Sequence, residues 1–86
     1  MTTEAKLTDR ASLAYRTLAK MEVALEPRTG ERGKTGFLKD DILLEMRQPF
    51  LAKPVWWDIM EELEQNTNLV ESFWSDEENN LLYRTV

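Results

Sequence analysis

Leu69-Val70-Glu71-Ser72-Phe73-Trp74, Ser75-Asp76-Glu77-Glu78-Asn79-Asn80 and Leu81-Leu82-Tyr83-Arg84-Thr85-Val86 follow one another at the C-terminal end, and their reading decides the fold. The outer two runs have the β-branched and aromatic composition of strands. The middle run is polar, and its two asparagines suit left-handed backbone geometry. Two strands around such a turn predict a β-hairpin. Neighbouring strand residues point to opposite faces, so Phe73 and Trp74 are expected to part company.

Working back from the hairpin, Pro54 stands at a first helical position and opens a third helix through Gln65, which Asn66-Thr67-Asn68 ends. Trp56 and Trp57 are about 100° apart on such a helix and cannot both face one core. If Trp56 packs inward with Met60 and Leu63, Trp57 lies at the boundary or outside, beside Asp58 and Glu61. The alternative is that the hairpin folds over both indoles. Gln48-Pro49-Phe50-Leu51-Ala52 reads as a turn, Pro49 forbidding continuation of a short second helix through Ile42, Leu43, Leu44, Met46 and Arg47 that Asp40 or Asp41 caps. Phe37-Leu38 is long enough for a minimal strand. The stretch from Arg28 to Gly36 holds all three glycines and reads as a loop. Thr8 is a good N-cap for a first helix that Pro27 stops. Leu7, Ala11, Ala14, Leu18, Met21 and Leu25 recur on it at spacings of 3 and 4. That stripe reads as a core face or, because it matches a short heptad seam and its alanines allow close approach, as the seam of a homodimer.

Eighty-six residues with 42% hydrophobic content make one domain, 1–86, with residues 1–7 expected to be flexible. No cysteine and no histidine are present. Disulfides and thiolate chemistry are thereby excluded, and the commonest general base and transition-metal ligand are missing. The N-terminus lacks an apolar stretch and the apolar runs are short, so neither a signal peptide nor a membrane span is expected. A cytoplasmic protein fits these features. Charge is unevenly spread: residues 1–36 carry seven Lys/Arg against five Asp/Glu, and residues 37–86 four against eleven.

Helix, minimal strand, short helix, turn, helix and hairpin is an element order that resembles the winged helix-turn-helix superfamily. Leu69-Val70-Glu71 after the third helix and Leu82-Tyr83-Arg84-Thr85 on the returning strand resemble that family locally, and the likeness runs from about Thr8 to Val86. It implies an α+β fold of three helices with a C-terminal hairpin; a three-helix bundle with a differently packed hairpin is the competing architecture. The resemblance also implies that Lys53, Trp57, Asp58, Glu61, Glu62 and Gln65 face a DNA groove, with Asp76, Glu77 and Glu78 at the wing tip. DNA binding works by neutralising phosphates with Lys and Arg. One lysine among so many carboxylates opposes that docking.

Candidate sites follow from these placements. The loop ending Gly33-Lys34-Thr35 finishes as a phosphate-binding loop does, but two residues separate Gly30 from Gly33 where that motif needs four. Arg28, Arg32 and Lys34 are the densest cationic cluster and a candidate nucleic-acid contact. Glu61, Glu62 and Glu64, or Asp41 with Glu45, lack the partners an acid–base or metal site needs. They read as solvated helix faces, with no cofactor and no catalysis. Trp57, Asp58, Glu61, Glu62, Gln65, Asp76, Glu77 and Glu78 form the candidate protein-binding set, an exposed Trp amid charge being a typical interface anchor. The expectation is a small non-enzymatic regulator or adaptor that binds a protein with a basic surface. Inhibition of a nucleic-acid-handling machine by charge mimicry, a device open to small phage or mobile-element proteins, is one mechanism. The alternative is a DNA-binding regulator, dimeric through the first helix, using Arg10, Arg16, Arg28, Arg32 and Lys34.

Overall fold

A computed structural model describes residues 7–86; the flexibility expected of residues 1–6 lies outside the described residues. Leu7 packs half-buried against the core. Helix α1 spans Asp9–Ala24. The Thr8 hydroxyl accepts from the Ala11 N–H at 3.2 Å, and Asp9 in the first turn meets the positive end of the helix dipole. The helix ends at Ala24, where Leu25 turns extended ahead of Pro27.

The glycine-bearing stretch is not the open loop its composition suggests. It contains strand β1 (Arg28–Thr29), a single 3-10 turn (Glu31–Gly33) and strand β2 (Thr35–Leu38), with Arg28 opposite Gly36 and Thr29 opposite Thr35. Two of the glycines sit where another backbone passes close. A β-carbon at Gly30 would lie 2.5 Å from the Phe73 ring, and one at Gly36 would lie 2.7 Å from the Tyr83 carbonyl oxygen. The glycines therefore mark contact with the rest of the sheet as much as freedom to bend.

Helix α2 follows directly, over Lys39–Glu45. Its N-cap is Leu38 rather than either aspartate; Asp40 and Asp41 fall in the first turn, where their charge suits the dipole without a capping hydrogen bond. It also stops earlier than Pro49 demands. Arg47 adopts a left-handed φ of 63°, and the Gln48 and Arg47 N–H groups bond back to the Leu43 and Leu44 carbonyls at 2.9 and 3.0 Å. That is the Schellman pattern of helix termination.

Helix α3 spans Lys53–Met60, with Pro54 in its first turn, and widens into a π-helical segment over Glu61–Asn66. The uniform helix expected through Gln65 is thus divided. At its end the Thr67 N–H reaches the Glu62 carbonyl at 3.1 Å, and Asn68 reverses the chain with φ 54°. Strands β3 (Val70–Ser75) and β4 (Asn80–Thr85) pair from Val70↔Thr85 to Ser75↔Asn80. The turn between them is four residues, Asp76–Asn79, because Ser75 and Asn80 are themselves paired. β4 also pairs with β2, giving one antiparallel sheet in the order β1-β2-β4-β3. The α+β class is as expected, but the sheet has four strands rather than a hairpin alone.

The two faces of this sheet have different covers. Phe37, Val70 and Tyr83 join Ala11, Ala14, Leu18, Ile42, Trp56 and Leu63 in the main core beneath the helices. Trp56 is 1% exposed, stands edge-on to Tyr83 at 5.3 Å and 87°, and donates its indole N–H to the Tyr83 hydroxyl at 3.4 Å. Phe73 and Leu82, opposite each other and buried, point the other way. Gly30 and Lys34 fold over that second face, the Lys34 ammonium lying 5.8 Å from the Phe73 ring centre. Carboxylates pin the periphery: Glu62 accepts from the Thr8 N–H at 2.7 Å, and Glu22 accepts from the Thr85 N–H at 2.8 Å.

Candidate functional site

The outer face of α3 carries the first part of the candidate set. Trp56, Ile59 and Met60 take the inward side of α3, and Leu63 continues it in the π segment. The same rotation leaves Trp57 66% exposed, between exposed Lys53, Asp58, Glu61 and Gln65. Among the described residues, no hydrogen bond or ion pair engages the side chains of Asp58, Glu61 and Gln65. Trp57 and Trp56 separate as the helical geometry requires, and the hairpin covers only the latter. Glu62 behaves differently from its neighbours. Its carboxylate accepts from both the backbone N–H and the hydroxyl of Thr8, at 2.7 and 3.1 Å, so it holds α1 against α3. Glu64 is likewise occupied, accepting from the Ser72 hydroxyl at 2.7 Å.

The hairpin-tip residues do not line the same groove as α3. Glu77 and Glu78 border a groove formed with α2 and the end of α1, whereas Asp58 and Glu62 border one formed with Asp9 and Arg10. Glu78 accepts both its contacts from Arg28 at 3.2 Å, and Asp76 accepts from the Trp74 indole at 2.8 Å. Glu77 alone of the three carries no such contact among the described residues.

The cationic candidates are largely spent inside the fold. Arg28 lies 3.2 Å from Glu78 and 3.6 Å from Asp41. Lys34 lies 3.3 Å from Glu71, which also faces Arg84 at 3.2 Å. Arg32, exposed at the turn with φ 59°, has no ion pair among the described residues. Two members of the densest basic cluster are therefore tied within the fold, Lys34 over the second sheet face and Arg28 between α2 and the hairpin tip, and Arg32 is left exposed.

The stripe on α1 serves the core. Ala11, Ala14, Leu18 and Met21 are buried within the chain, Leu7 packs against them, and Leu25 projects beyond. A homodimer seam along these six is not available, because four of them already face α2, α3 and the sheet. Sequence reasoning missed several exposed apolar side chains, among them Phe50 at 96% in the turn before α3, Leu44 at 61% on α2, and Val23 on α1. Phe50 beside Pro49, in a turn too short to bury it, was the visible signal. Leu44 had none, because its neighbours Ile42 and Leu43 form the core-facing pair.

The titration of Tyr83 is displaced. Burial raises its pKa above the ordinary 10.0, the Trp56 hydrogen bond works against that rise, and the nearby Glu64 charge adds to it. Among the described residues no group of three or more His, Cys, Asp or Glu is placed to hold a metal ion, and no helix is long and apolar enough to cross a membrane. Comparison with known protein families, with curated proteins and with solved structures returns no match.

Proposed function

We propose that this chain is a winged-helix-like, non-enzymatic adaptor or regulator that captures a protein with a basic surface through the outer face of α3. Support for the winged-helix reading comes from connectivity: a strand, two helices joined by a short turn, and a hairpin whose second strand lies between the first two in the order β2-β4-β3. The observation that carries the functional reading is Trp57, a large apolar side chain left in solvent among unpaired carboxylates. Burying an indole of this kind contributes as much as any side chain to an interface, and the flanking charges select a cationic partner. Competition for a surface that otherwise holds nucleic acid is the mechanism this chemistry favours.

Nucleic acid is the weaker ligand on the same surface chemistry. Of the five cations that reading needs, Arg28 and Lys34 are held by carboxylates, leaving Arg10, Arg16 and Arg32 exposed. The test is capture of proteins from the native host by wild type, Trp57→Ala and Glu61→Lys. Both substitutions are expected to weaken retention of the same stoichiometric protein by about tenfold or more. If neither does, α3 is not the binding surface.

A further inference from the structure

A second surface lies away from the outer face of α3. The end of α1, strand β1, helix α2 and the hairpin tip enclose a groove of about 550 Å³. Its apolar lining is Leu25 and Leu44, 45% and 61% exposed, with Pro27 and the buried Met21 and Phe37. Its rim is acidic. Glu26, Asp41, Glu45, Glu77 and Glu78 line it, against Arg28 as the one cation. Arg28 holds Asp41 and Glu78, and Glu26, Glu45 and Glu77 are exposed and without ion pairs among the described residues. Exposed leucines in a groove that carboxylates also line are complementary to one kind of occupant.

We infer that this groove docks a short basic peptide segment of a partner protein, an apolar side chain seated between Leu25 and Leu44 with flanking Lys or Arg against Glu45 and Glu77. Charge complementarity selects the occupant. A polyanion is repelled by the rim, and an uncharged apolar segment would leave the three free carboxylates partly desolvated without partners. A second copy of this chain is a poorer fit, because Leu25 and Leu44 would meet the same acidic rim across a symmetric contact. The groove is distinct from the Trp57 face, so the two bind independently.

The probe is a fluorescein-labelled Lys-Arg-Leu-Leu-Arg-Lys peptide, followed by anisotropy and by amide chemical-shift changes in the labelled full chain. The expected result is saturable binding with shifts centred on Leu25, Leu44, Glu45 and Glu77. Leu44→Ser and Glu77→Lys should each weaken it by about tenfold. Glu61→Lys, on α3, should weaken it no more than about twofold, as a distant charge in salt does. Replacing the peptide's leucines with serine should cost as much as Leu44→Ser. Retained amide dispersion in each variant shows that folding is intact. Absence of saturable binding, equal binding of the serine peptide, or an effect of Glu61→Lys as large as that of Glu77→Lys would overturn the inference. The α3 reading is judged separately, by capture of a host protein with Trp57→Ala, a substitution and a readout that this experiment does not use.

Discussion

At the scale of single residues, the closest tolerances lie where backbones touch. Gly36 faces the Tyr83 carbonyl on the neighbouring strand, and a methyl group there would stand 2.7 Å from that oxygen. Neither strand can yield without loosening the β2–β4 pairing. Gly36→Ala is therefore expected to destabilise the fold by about 1–3 kcal/mol, the range for overpacking a fixed site; the urea midpoint measures it. Tyr83 supplies a second residue-level expectation. Its folded pKa is raised by burial, so above the ordinary 10.0 the unfolded chain loses a proton that the folded chain keeps. Stability is then full below that pH and falls as pH climbs toward the folded value. Tyr83→Phe should remove the tyrosine's share of that alkaline loss. At neutral pH it should cost about 0.5–1.5 kcal/mol for the Trp56 hydrogen bond. Thermal melts of both proteins across the alkaline range check the sign.

At the scale of elements, pattern carried some of the fold and contact carried the rest. The N-cap at Thr8, the stripe on α1, the strand runs and the opposed Trp56 and Trp57 were legible because each follows from a local period or a local hydrogen bond. The β1–β2 excursion was not. Its composition is that of a turn, and what orders it is long-range: Ser75 donating to the Thr29 carbonyl at 2.7 Å, Lys34 reaching Glu71, and Gly30 letting the backbone close on Phe73. Nor was the π-helical end of α3, where Leu69 donates to Leu63 at 2.8 Å and so draws the helix end toward β3. Ion pairing likewise hid which charges were free; Glu62 and Glu78 looked like binding carboxylates and turn out to be ties. Glu62→Ala should release the start of α1 at a cost of about 1–3 kcal/mol, since both Thr8 donors lose a charged acceptor. Amide exchange in the first turn of α1 should quicken more than elsewhere.

Across the whole molecule, charge and exposed apolar area divide the surface by role. Arg28 and Lys34 of the 28–34 stretch are held in ion pairs, while the outer face of α3 keeps Asp58, Glu61 and Trp57 in solvent. A domain arranged this way attracts cations and offers an indole to bury, and it repels a phosphate backbone over the part of the fold that a winged helix would press into a groove. The most direct measurement is capture from the native host with and without nuclease, quantified by mass spectrometry. The prediction is one stoichiometric protein that survives nuclease treatment and is lost with Trp57→Ala. A partner set that disappears with nuclease, or one that Trp57→Ala retains in full, would contradict it.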